Sequence, residues 1–133
     1  MQKIILLTIQ MLLPLFALAQ MPKIYTKAGS GLNDEPLDVL RISTGKIYTT
    51  GYYSQLAFFG SQTVSFTGID DAYIACQNTS GSYDWVLTVS GASSDRGIAL
   101  AQDNANNIYA TGYYRGSVTL GTTTINSVGG SQD

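Results

Sequence analysis

The chain has 133 residues, a formal net charge of −2, 12% charged and 44% hydrophobic residues, and no histidine. A length of this order suits one small globular unit or part of a larger one. With no cationic surplus to hold phosphates, nucleic acid is excluded as the expected partner.

Residues 1–19 differ in kind from the rest. A single early cation, Lys3, precedes an apolar run ending in Ala17-Leu18-Ala19, a small-x-small pattern ahead of Gln20. This reads as a cleavable secretory signal peptide. The run is interrupted by Gln10 and Pro14 and falls short of the about 20 apolar residues that a membrane span needs. No transmembrane segment is expected, and the protein is expected to be secreted or held at the cell surface.

Beyond residue 20, Tyr (9), Thr, Val and Gly (14) dominate over helix formers. Such a composition favours strands and tight turns. The stretch "KIYTTGYYSQLAFFG" from Lys46 returns as "NIYATGYYRGSVTLG" from Asn107. Thr50 and Thr111 stand 61 residues apart, and the same spacing aligns Asp34 with Asp95, Tyr48 with Tyr109, Gly51 with Gly112, Tyr53 with Tyr114, Gly60 with Gly121, and Gly68 with Gly129. No gap is needed, so a duplicated structural unit is expected.

Within the unit, "NIYATGYY" alternates with period two. Ile108, Ala110, Gly112 and Tyr114 share one face, and Tyr109, Thr111 and Tyr113 the other. Both faces carry bulk, which predicts a sheet covered on both sides. The mid-strand glycine predicts a close approach by backbone or ring. The first copy continues into "DAYIACQN", a turn at "TSGS", and "DWVLTVS". Four principal strands per unit, with a small hairpin near residues 56–67, account for the length.

Several residues invite a chemical reading. Cys76 is the single cysteine; with Ala72 and Ile74 on its face it reads as a packed thiol, and no histidine is present to activate it. Asp70 and Asp71 are neighbours in a strand start, so their carboxylates diverge and cannot flank one glycosidic bond. The Asn-rich run 103–107 reads as a turn, with a calcium loop at Asp103 the less favoured alternative because acidic residues do not alternate there. "NTS" at Asn78 matches a glycosylation acceptor, which is relevant only in a eukaryotic secretory route. "NTSGSYDW" echoes two known signatures, the Asp-box turn of sialidase-like proteins and the tryptophan-docking repeat of quinone-dependent dehydrogenases. Only one Trp exists, so Trp85 is expected to be a structural plug between sheets. Tyr52, Tyr53, Tyr113 and Tyr114 serve either as core or as a sugar- or protein-binding surface.

Four-stranded, glycine-punctuated units in tandem fit the blades of a β-propeller. The pieces "GIALAQD", "NNIYATGYY", "LG", "GGSQD" and "GSYDW" resemble the seven-bladed β-propeller repeats of secreted bacterial proteins. The first copy departs from that pattern at Ile42, where the second has Asp103, and at Ile24, where the second has Trp85. The resemblance implies an all-β, incomplete propeller of about two blades after the signal peptide. Residues 20–33 would be the last strand of a blade and a linker, 34–94 a full repeat, and 95–133 a truncated one. Two blades cannot close a ring, so a longer natural protein is expected, with further blades of the same chain as partners. The expected function is a non-catalytic, exported module that binds an unidentified protein or carbohydrate or acts as a surface scaffold, with no cofactor. The alternative is the start of a secreted propeller enzyme (a lyase, hydrolase or quinoprotein) whose catalytic residues lie in other blades. Asp34, Tyr48, Gly51, Tyr53, Gly60, Trp85, Asp95, Tyr109, Gly112, Tyr114 and Gly121 are expected to be structural repeat positions.

Overall fold

The computed structural model describes residues 33–128. The expected signal peptide, the expected first strand within 20–33, and the "GGSQD" segment lie outside the described residues.

Among the described residues every regular element is a β-strand. In chain order these are β1 (Glu35–Arg41), β2 (Ile47–Tyr53), β3 (Ala57–Phe59), β4 (Gln62–Val64), β5 (Asp71–Gln77), β6 (Tyr83–Gly91), β7 (Arg96–Gln102), β8 (Ile108–Tyr113), β9 (Ser117–Leu120) and β10 (Thr123–Asn126). No helix among them is long and apolar enough to cross a membrane. The alternating, β-branched and aromatic sequences supply these strands, and Gly and Asn supply the turns.

β1, β2, β5 and β6 form an antiparallel meander, and β3 and β4 form a separate hairpin. The main sheet is larger than a four-stranded unit: it has six strands in the order β1-β2-β5-β6-β9-β10. The extra pair comes from the second copy. Val89, Ser90 and Gly91 at the end of β6 pair with Leu120, Thr119 and Val118 of β9. Otherwise the outer edge of β6 would present unpaired backbone groups there, and β9 satisfies them.

The 61-residue spacing reappears in the register. β1 pairs with β2 at Glu35↔Tyr52, Pro36↔Gly51 and Asp38↔Thr50, with a bulge between Pro36 and Asp38. β7 pairs with β8 at Arg96↔Tyr113, Gly97↔Gly112 and Ala99↔Thr111, with a bulge between Gly97 and Ala99. The hairpins match likewise, Ala57↔Val64 against Val118↔Ile125. Gly51 and Gly112 are required for one reason in both copies: an added Cβ would stand 2.1 Å from the carbonyl oxygen of Glu35 or of Arg96. The close approach expected from the mid-strand glycine is therefore that of the neighbouring strand's bulge.

The main sheet is covered on both faces. On one, Tyr53, Tyr73 and Ala75 pack with Ala57 and Phe59 of the small hairpin, supported by Val64, Phe66, Tyr83 and Val86. The Phe59 ring lies 4.9 Å from that of Tyr73 and meets Tyr83 edge-on at 5.4 Å. On the opposite face β7 crosses β2. There a Cβ on Gly97 would stand 2.0 Å from Thr50 Oγ1, and the Leu100 amide donates to Asp38 Oδ2 at 2.7 Å. The second copy is different. β8 is mostly exposed, so its expected double-sided cover is not realised among the described residues. β2 has β5 along its outer edge, whereas among the described residues β8 pairs only with β7.

Candidate functional site

The seam between the first sheet and the β7–β8 hairpin gathers polar side chains and a cavity. At one end sits Asp70, immediately before β5. Ser54 Oγ and Ser94 Oγ donate to its carboxylate, each at 2.8 Å. Arg96 donates to Oδ2 from Nε at 3.2 Å and from Nη2 at 2.7 Å. The guanidinium also lies over the Tyr52 ring, 3.9 Å from its centroid, and Tyr52 donates to Glu35 Oε2 at 3.0 Å. Burial pushes the Asp70 carboxyl up, but the hydrogen bonds from Arg96, Ser94 and Ser54 outweigh it and hold it below the ordinary value. The carboxylate is thus anionic and occupied by donors. It ties the two copies together, and such a group is poorly placed to abstract a proton.

Its neighbour Asp71 points away, as strand alternation requires, and is fully buried. The Thr67 amide donates to its Oδ2 at 2.8 Å, while Oδ1 has no hydrogen-bond partner among the described residues. Burial pushes this carboxyl up to about 6. Asp95 is also fully buried; its carboxyl is raised for the same first reason, burial.

The predicted repeat positions hold matching structural posts. Asp34 accepts from the Ser54 amide at 2.9 Å, and Asp95 from the Arg115 amide at 3.1 Å, again 61 residues on at both ends. Gly60 (φ 62°) and Gly121 (φ 60°) occupy the left-handed turns of the two hairpins, where glycine carries no steric cost. Tyr53 is fully buried and donates to the Ser65 carbonyl at 2.8 Å. Tyr114 instead lines the cavity. The Tyr48 and Trp85 rings meet tilted, 6.0 Å apart, across Cys76, which is buried as expected. Trp85, expected as a plug, remains 40% exposed, because nothing among the described residues packs over that end of β6. Tyr109 is exposed and donates to Asp103 Oδ2 at 3.0 Å.

The turns read as motifs are explained by their own hydrogen bonds. Asp103 Oδ1 accepts from the Ala105 and Asn107 amides, each at 2.9 Å, and Oδ2 from Asn107 Nδ2 at 2.7 Å. These bonds hold the Asp103 carboxyl below its ordinary value. Among the described residues no group of three His, Cys, Asp or Glu gathers as metal ligands. Ile42, standing where Asp103 does, is buried; there the turn is made by Gly45 (φ 86°), the counterpart of Asn106 (φ 67°). In "NTSGSYDW", Asn78 Oδ1 accepts from the Ser80 and Ser82 amides at 3.0 and 3.1 Å, and Asn78 Nδ2 donates to Asp84. That is a capped hairpin turn.

Of the tyrosines offered as a binding surface, Tyr52 and Tyr53 are core. Tyr113 and Tyr114 border a cavity of about 220 Å³ between β8, the β9–β10 hairpin and the first sheet. Reasoning from sequence missed the Asp70–Arg96 clamp. The available signal was the lone Arg96 immediately after the repeated Asp95. No family model matches the chain, and no curated protein and no solved structure matches it either.

Proposed function

We propose that this chain is part of an exported, non-catalytic β-propeller-type repeat protein that works as a binding module or surface scaffold. The observation that carries this reading is the reuse of one hairpin register, bulge included, 61 residues apart, with the second hairpin laid on the face of the first sheet. Stacked units that bury one another's faces are the physical basis of repeat arrays. The polar groups at the seam support a structural role: Asp70 is saturated by donors, and Asp71 and Asp95 are sealed from solvent. Export rests on the charge and apolar pattern of residues 1–19.

Two measurements test the proposal together. Expressed in a bacterial host, the full chain should leave the cytoplasm with Gln20 as its new N-terminus. Incubated with purified cell-surface polysaccharides, it should leave their chain lengths unchanged. Retention of an unprocessed chain would overturn export, and shortening of a polysaccharide would replace the module with an enzyme.

A further inference from the structure

Among the described residues the outer edge of β8 is open, and that edge and the cavity beside it have a filled counterpart in the same molecule. In the first copy, β2 is flanked by β5, whose Tyr73 stands opposite Gly51 and whose Ala75 stands opposite Thr49. Those two residues complete a core with Tyr53, Ala57 and Phe59. The cavity by β8 is lined by Tyr114, Val118, Leu120 and Ile125, which stand 61 residues after Tyr53, Ala57, Phe59 and Val64. One half of the first copy's core is thus reproduced, and the half that β5 contributes there is open space here.

We infer that the β8 edge and its cavity receive a β-strand of the β5 type: an extended, antiparallel segment with an aromatic residue opposite Gly112 and a small residue opposite Ala110. This rests on the repeat reading above. The occupant is a strand from another segment of this same repeat type. It is not the β5 of a second molecule, because β5 is held between β2 and β6 and has no free edge to lend. Main-chain hydrogen bonds to the edge give such an addition its affinity, and alternate side chains entering the cavity give it specificity. The Ala110, Gly112 and Tyr114 face supplies the room and the aromatic wall that the incoming ring needs.

The probe is a labelled peptide with the sequence of Asp71–Gln77, titrated against the full chain by fluorescence anisotropy. Saturable binding is expected, with hydrogen exchange at β8 amides slowed at least tenfold, and with a scrambled peptide inert. Ala110→Lys places a cation in the cavity at an exposed position, so the variant should keep the parent circular dichroism and melting point while losing at least tenfold in affinity. Absence of binding, equal binding of the scrambled peptide, or an unaffected Ala110→Lys variant would each overturn the inference. So would self-association of the free chain that competes with the peptide, since the occupant would then be a second copy. Exchange protection of the β1–β2 and β7–β8 hairpins in the free chain separates the two readings. If both are protected and no peptide binds, the repeat stands and only the strand acceptor fails.

Discussion

Replacing Gly97 by Ala tests whether β7 truly lies on the face of the first sheet. The new Cβ would stand 2.0 Å from Thr50 Oγ1 and 3.3 Å from Thr50 Cβ. Overpacking of this kind costs about 1–3 kcal/mol. Thr50→Ala alone removes the buried hydrogen bond that Thr50 Oγ1 donates to the Tyr73 carbonyl at 2.7 Å, a loss of about 1 kcal/mol. In the double variant the atom responsible for the clash is gone. The combined destabilisation should therefore fall below the sum of the single effects by at least about 1 kcal/mol, within the range of directly contacting pairs. Urea denaturation of the four proteins of the cycle gives the coupling energy directly. Additivity within experimental error would refute the packing of β7 on β2, and with it the stacking of one copy on the other.

Acidification is expected to stabilise the fold before it destabilises it. The Asp71 carboxyl titrates at about 6 in the folded chain against an ordinary value of 3.8, so the native state takes up its proton first and gains stability as pH falls from 7 toward 5, by about 1 kcal/mol. Asp70, held below 3.8, acts with the opposite sign only at lower pH, where its contribution is lost. Melting temperature should rise from pH 7 to pH 5, and Asp71→Asn should flatten that rise; a fall over this interval would contradict the burial of Asp71. Arg96→Lys keeps the charge but loses the paired donation to Asp70 and the planar contact with Tyr52, at a cost of about 1–2 kcal/mol by chemical denaturation. A variant as stable as the parent would show that the clamp is an ordinary surface pair.

The turns and the hairpins were legible in the sequence because their causes are local. Alternation marks β2 and β8, Gly60 and Gly121 mark the tight turns, and Asn78 and Asp103 cap loops made of their own neighbours. The equal spacing of Gly51 and Gly112 carried more than composition shows, since both are demanded by the same bulge in the neighbouring strand. What could not be read was pairing across the copies. Val118 sits in the short run "SVTL", with little to distinguish it, yet it is 1% exposed because β9 adds to the end of β6. The Asp70 clamp was equally hidden. Its donors, Ser54, Ser94 and Arg96, come from different stretches of the chain, and only the fold brings them to one carboxylate. That β8 stands uncovered among the described residues was hidden for a related reason: alternation shows which face a side chain takes, and the presence of a neighbour along the strand edge depends on the rest of the fold.

The pairing of β9 with β6 has a mechanical consequence. One copy of the module is fastened to the next both by side chains pressed against a sheet face and by amide-to-carbonyl bonds running along a shared edge. A pulling force that tries to peel the second hairpin away must rupture that ribbon in the same event that bares the face. The two copies should therefore rip open in one step under load.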